Sequence, residues 1–228
     1  MNKPRLLDTF CKAGGAGMGY HQAGFEVVGV DIELQPRYPF EFHQADAIEY
    51  IARHGHEFDV IHASPPCQVH SALKSMANKK HKDWIPQTRK VLKECERTYI
   101  IENVPGAPLE NYIKLCGTSF GLKTPDGQYS IRRHRLFETN IRIFFTPQCI
   151  HIGKTVGIYG GKFRDSAIEH EHYKKEKATR GKPPSNLIIS RDNAGFAMGI
   201  NWMTAKELSQ AIPPAYTKWI GEQIISMI

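Results

Sequence analysis

The cysteine in Ser64-Pro65-Pro66-Cys67, with Gln68 behind it, is the residue best suited to nucleophilic chemistry in this chain. Neither proline can extend a strand ladder or a helix interior, so the turn is rigid. It follows the strand-like run Phe58–Ala63 and would offer the thiol outward into a cleft, where a thiolate nucleophile is useful. Taken alone, the same residues read equally well as a proline-stiffened loop. Two further groups carry chemical potential. Glu102-Asn103-Val104 closes a second apolar run, and Arg133-His134-Arg135 opens another. In isolation Glu102 also reads as a structural ion-pair acid and the arginines as a solvated face.

A second constellation lies at the start of the chain. Asp8-Thr9-Phe10-Cys11-Lys12-Ala13-Gly14-Gly15-Ala16-Gly17-Met18-Gly19 ends a strand and opens a helix. Glycines permit close backbone approach, and a helix N-terminus offers free amide donors. Asp31 closes the next strand and suits ribose hydroxyls, while Asp46 follows the next connection and suits an adenine amino group. Glycine turn, acidic strand end and further Asp together describe an adenosine-containing cofactor. No lysine–serine ending of the Walker type is present, which disfavours a nucleoside triphosphate.

The elements that must position these residues alternate. Arg5–Phe10, Glu26–Asp31, Phe58–Ala63 and Thr98–Val104 read as strands, and Ala45–Arg53 and Trp84–Arg97 as helices. Such alternation implies an α/β, Rossmann-like, doubly wound and mostly parallel sheet. Arg133–Glu138 and Ile141–Phe145 read as antiparallel strands. From Pro147 to about Asn193 the pattern dissolves into glycine, charge and histidine, and Thr204–Ile228 returns to helical periodicity broken at Pro213-Pro214. The expected organisation is a catalytic and cofactor domain over 1–145, a small recognition region over 146–193 and a returning segment over 194–228. At 228 residues one such domain has a sizeable core. The five cysteines have no framework spacing, and the formal charge of +7 points to a polyanion, nucleic acid ahead of a membrane surface. No apolar run reaches membrane-span length and the N-terminus leaves no room for a signal peptide, so a cytoplasmic location is expected.

Five pieces in register, Asp8-Thr9-Phe10 with its glycine turn, Pro65-Pro66-Cys67-Gln68, Glu102-Asn103-Val104, Arg133-His134-Arg135 and Gln210-Ala211-Ile212-Pro213-Pro214, give the chain a resemblance to the DNA (cytosine-5) methyltransferase family. It is most similar to compact phage-type or orphan members, and the resemblance spans nearly the full length. It implies S-adenosylmethionine as donor, double-stranded DNA as partner, base flipping, and a monomer in a bacterial or phage-infected cytoplasm. It also implies roles: Cys67 adds to C6 of cytosine, Glu102 donates at N3, Asn103 fixes the nucleophile loop, and Arg135 with Arg133 holds O2. Cofactor contacts are implied for Asp8, Phe10, Lys12, Gly14, Gly15, Asp31, Ile32, Asp46, Ala47, Pro65 and Gln210. DNA contacts are implied for Gln68, Ser71, Lys162, Arg164, Arg180 and Arg191.

The chain departs from the family at Lys12, where glycine is usual, at Gln210, where asparagine is usual, and at Ile131, where a glutamine is expected before the arginines. A buried lysine needs an anion. That motivates an alternative donor, carboxy-S-adenosylmethionine, with Lys12 on its carboxylate and 5-carboxymethylcytosine as product. Cys149-Ile150-His151 and His170-Glu171-His172 contain zinc-type ligands, but the spacing fits no standard pattern and surface histidines without metal are the expectation. Rival readings are an RNA cytosine-5 methyltransferase and a non-catalytic DNA-binding or cofactor-sensing protein. An amino-methyltransferase is disfavoured, because Cys67 stands where that chemistry uses an aromatic residue.

Overall fold

A computed structural model describes residues 3–67, 82–143, 146–159 and 189–228, and the backbone course of 162–165. Its centre is a seven-stranded sheet: β1 Arg5–Thr9, β2 Glu26–Asp31, β3 Glu41–Gln44, β4 Val60–Ala63, β5 Thr98–Asn103, β6 Ile113–Leu115 and β8 Arg135–Thr139. The order is β3-β2-β1-β4-β5-β8-β6, parallel from β3 to β5 and antiparallel through β8 and β6. Both faces are covered, which is why the central strands read as almost unbroken apolar runs. Leu7, Val28, Ile61 and Ile101 meet α2 (Ala47–His54) and α3 (Ile85–Glu94). Leu6, Val60, Ile100 and Phe137 meet Tyr20 of α1 (Gly15–Ala23) and the last long helix, Pro214–Ile225.

Local chemistry sets the ends of these elements. The Asp46 carboxylate accepts from the amides of Ile48 and Glu49 and starts α2. Asn140 stops β8: its side chain accepts from Tyr99 N–H at 2.9 Å and donates to the Arg97 carbonyl at 2.8 Å. The strand expected over 141–145 is therefore absent where the chain is described. Ile141 and Ile143 pack onto the core outside any strand, and 144–145 lie outside the described residues. The strand expected from Arg133 begins instead at Arg135, because Arg133 takes a left-handed φ of 35°.

The stretch read from sequence as patternless carries strands. β9 (Lys154–Tyr159) pairs antiparallel with β10 (Lys162–Asp165) and parallel with the short β7 (Tyr129–Ser130), giving a separate three-stranded sheet. Helix α4 (Arg191–Met198) and α5 (Ala205–Gln210) pack against it, and their cluster reaches Ala13 in the glycine turn. The Pro214–Ile225 helix, α6, lies on α1 so tightly that a Cβ on Gly19 would meet the Pro214 carbonyl oxygen at 2.1 Å. Only glycine fits there. No helix among the described residues is long and apolar enough to cross a membrane.

Candidate active site

Period-two alternation places Asp8, His62 and Glu102 on the same sheet face as Leu6, Val60 and Ile100. That face is apolar at the strands' N-terminal halves and polar at their C-terminal ends, where open α/β sheets bind ligands. The Ser64–Cys67 turn follows β4 directly. Asn103, buried at the end of β5, donates from Nδ2 to the Pro65 carbonyl at 3.0 Å. Its Oδ1 accepts from the Val104 amide at 2.9 Å, so one side chain pins the cysteine turn to the neighbouring strand.

Glu102 is buried, and Arg135 Nε lies 2.8 Å from its Oε1 out of line for a hydrogen bond. Burial raises the Glu102 pKa, opposed by Arg135, Arg133 and a hydrogen bond from Ser64. Burial and the Glu102 charge also raise Cys67, while Arg135 and Arg133 favour its thiolate. The two acids are therefore coupled: a proton on Glu102 removes the charge that holds Cys67 protonated.

Arg133 stands differently from its expected role on the base. Its guanidinium donates to the carbonyls of Ala211, Ile158 and Ser209 at 2.9, 2.8 and 2.8 Å, with Leu208 at 3.5 Å. Four of its five N–H groups are thus engaged with backbone, and it joins the small sheet to the C-terminal segment. Arg191 is similar: it donates to the carbonyls of Met203 and Asn201 and pairs with Asp192 at 2.8 Å. Lys162 and Arg164 occupy alternate positions of β10. Gln68, Ser71, Arg180 and His170 through His172 lie outside the described residues.

In the glycine turn, Phe10, Lys12 and Gly14 all take left-handed φ values, of 55°, 46° and 80°. Two of the three are not glycine, and such positions cost of order 1–2 kcal/mol each. The glycines here admit protein as well as any ligand: a Cβ on Gly15 would sit 2.5 Å from the Ile212 carbonyl oxygen. That contact brings Gln210, at the end of α5, and Ala211 close to the turn. Asp31 is buried at the end of β2, beside Ile32, which is 66% exposed. Ala47 is buried beneath the Asp46 cap, whose Oδ1 serves the helix. A buried acid for hydroxyls, an exposed apolar side chain for an adenine face and a further Asp fit an adenosine moiety.

Lys12 is only partly buried. Its Nζ pairs with Glu33 at 2.9 Å and Asp31 at 3.5 Å, and its amide donates to Asp31 at 3.1 Å. The anions that balance this lysine are the protein's own, so it poses no need for a carboxylated donor. Asp8 is fully buried: Oδ2 accepts from the Tyr38 hydroxyl at 3.1 Å, while Oδ1 has no partner.

Three participants were not singled out from sequence. Tyr38 packs its ring against Gly29 and Gly14 and reaches Asp8. Tyr20 Oη lies 3.0 Å from His62 Nδ1, and His62 Nε2 lies 2.9 Å from Ser64 Oγ. Burial depresses the His62 pKa to about 3, so the ring is neutral. An ionised Glu102 accepts from Ser64, which leaves Ser64 to accept from His62 Nε2–H and His62 Nδ1 to accept from Tyr20. The result is a directed chain of donors ending on Glu102. Its signal in the sequence was a histidine at the buried parity of an otherwise apolar strand.

Comparison with known structures places the fold. A prophage-encoded chain of E. coli, assigned as a DNA modification methyltransferase, superposes with a TM-score of 0.60 at 15% identity, covering 98% of this chain and 99% of that one. The fold is that of the class I methyltransferases. A DNMT2 variant from Spodoptera frugiperda matches at 0.60 and 11% identity over 95% and 98% of the two chains. The Dnmt2 methyltransferase of S. pombe matches at 0.60 and 11% over 99% of each. No family model matches the sequence, and no curated protein does.

Proposed function

We propose that this chain transfers a methyl group from S-adenosylmethionine to C5 of cytosine in double-stranded DNA. The observation that carries the reading is the Cys67 turn clamped by Asn103, with the buried Glu102–Arg135 pair electrostatically coupled to the thiol. C5 of cytosine is too weak a nucleophile to attack a sulfonium methyl unaided. Addition of the Cys67 thiolate at C6 makes C5 enamine-like, and a proton held by Glu102 at N3 drives that addition. Burial raises the Glu102 pKa, which favours its holding this proton. The coupling makes protonated Glu102 and ionised Cys67 mutually favourable, which is the pairing the addition needs.

Arg135 stands next to Glu102 and supplies the positive potential for O2 of the base. Arg133 serves as a positioning residue for the strand that carries Arg135. When bound, the donor supplies an electrophilic methyl at C5. Asp31, Ile32 and Asp46 would hold its adenosine end, with Asp8 and the Phe10–Gly15 turn contributing to the rest of the site, and it would leave as the neutral thioether once its methyl is transferred. Loss of the C5 proton and elimination of Cys67 then release the base. Reaching it in a duplex requires flipping it out of the stack. The positive net charge supplies phosphate affinity, with Lys162 and Arg164 on β10 and Arg180 as recognition candidates.

Covalent capture tests this. Purified protein is incubated with donor and a duplex containing 5-fluorocytosine, and separately with tRNA carrying the same base. A denaturation-resistant adduct on the duplex, absent in Cys67→Ala, is expected. Preferential capture of tRNA would move the substrate to RNA. Duplex and donor binding without any adduct would leave a DNA-binding protein and overturn the catalytic reading.

A further inference from the structure

Two thiols and two imidazoles converge away from the site just described. Cys116 follows β6, and His134 immediately precedes β8. These strands pair antiparallel with Leu115 opposite Arg135, so Cys116 and His134 face each other one step beyond the ladder. Cys149 and His151 arrive from the segment that leads into β9. One ligand atom from each of Cys116, His134, Cys149 and His151 lies within 4.8 Å of all the others. Cys116 Sγ is 3.4 Å from His151 Nε2, and the His134 and His151 rings are 5.1 Å apart between centroids.

We propose that Cys116, His134, Cys149 and His151 form a tetrahedral zinc site. Zinc–sulfur bonds of about 2.3 Å and zinc–nitrogen bonds of about 2.0–2.1 Å imply ligand-to-ligand edges of roughly 3.3–3.8 Å. The Cys116–His151 edge already has that length, and the others need to close by no more than about 1.5 Å. His134 Nε2 is buried and has no hydrogen-bond partner, an unmet polar atom that a metal would satisfy. Thr118 Oγ lies 3.1 Å from Cys116 Sγ, where a hydroxyl can support a thiolate. Two sulfurs and two nitrogens select zinc over hard cations, and four protein ligands make the site structural rather than catalytic.

The arrangement has a consequence for the protein. The ligands come from three separated segments, so the metal would staple the entry to β9 onto the antiparallel edge of the main sheet. One ligand, His134, stands between Arg133 and Arg135. Zinc would therefore fix the strand end that carries Arg135, and it would do so whatever substrate the enzyme takes.

The test is metal content and coordination in the full chain, purified with a reducing agent. One equivalent of zinc is expected by elemental analysis, resistant to gel filtration. Cobalt substitution should give the intense visible bands and thiolate charge-transfer absorption of a tetrahedral two-sulfur site. Cys149→Ser and His151→Ala, the two ligands from the segment that leads into β9, should each weaken zinc binding at least about 100-fold. Cys95→Ser, whose thiol bonds to the Ile51 carbonyl elsewhere, should leave it unchanged. Should the ligand variants fail to fold, chelator competition and the cobalt spectrum of the parent still decide. The proposal is overturned if the reduced parent binds no stoichiometric zinc, if both ligand variants retain it, or if Cys116 and Cys149 are found as a disulfide.

Discussion

Replacing Asp8 by Asn should remove a loss of stability that the parent protein suffers between about pH 6.5 and 8. Burial holds the Asp8 carboxyl at about 8, against an ordinary 3.8, despite the Tyr38 and Gly17 hydrogen bonds. Between those values the folded protein keeps a proton that the unfolded chain has released. The stability this group contributes is thus complete below 3.8 and is lost as pH rises toward 8. The slope is ~1.4 kcal/mol per pH unit. His62 has the opposite sign: held near 3 against 6.5, it costs stability as pH falls below 6.5. The two slopes offset each other from about 4 to 6.5, leaving Asp8 uncompensated above, for a loss of about 2 kcal/mol by pH 8. Glu102, also raised, adds in the same direction. Asn has the shape of the protonated acid and can accept from Tyr38, but it cannot ionise. Urea unfolding at closely spaced pH values from about 5.5 to 8.5, without donor, reads the difference directly. The decline should shrink by about 2 kcal/mol in the variant. A parent curve that is level or rising from 6.5 to 8, or an equal decline in both proteins, would refute the reasoning.

Three other outcomes are expected. Arg133→Ala strands carbonyls from residues 158, 208, 209 and 211, which should cost at least about 3 kcal/mol and lower the melting temperature by about 6–12 °C; a drop under about 2 °C would show that water replaces the guanidinium freely. Lys12→Ala keeps the left-handed backbone but frees Asp31, so S-adenosylhomocysteine should bind about 2–5 times more tightly by calorimetry. Weaker binding would mean that Lys12 itself contacts the ligand. His62→Leu cuts the donor chain to Glu102, and the acidic limb of the pH–rate profile should shift while S-adenosylhomocysteine affinity holds. A uniform fall in rate with an unmoved profile would leave His62 a packing residue.

What the sequence revealed and what it hid divide along a physical line. The parallel half was legible because buried strands, a glycine turn and acids at strand ends are local patterns that parity and spacing expose. Asp31, Asp46, Cys67 and Glu102 could be placed at strand ends or beyond them for that reason. Lys12 was different. Its partners Asp31 and Glu33 are 19 and 21 residues away, and nothing local says that a half-exposed ammonium meets them. Arg133 misled because its spacing from Arg135 suggests a shared face, whereas a single left-handed residue turns it onto carbonyls 25 to 78 residues distant. Cys149 and His151 offered zinc-type ligands in the sequence, but their partners Cys116 and His134 were hidden, because pairing of β6 with β8, not sequence spacing, delivers them to the cluster. The small sheet was hidden because β7 and β10 are short and 23 residues separate β7 from its partner β9.

The contact between α1 and α6 bears on how the protein is made. Thr217 donates to the carbonyl of Ala16 at 2.8 Å across 201 residues, and Gly15 rests on Ile212. The glycine turn emerges from the ribosome well before its far wall, which is synthesised about 200 residues later. A nascent chain therefore carries the glycine turn unsupported until residues 211–217 have left the exit tunnel. A truncated translation product, even one with an intact cysteine turn, would lack the wall that packs against the glycine turn.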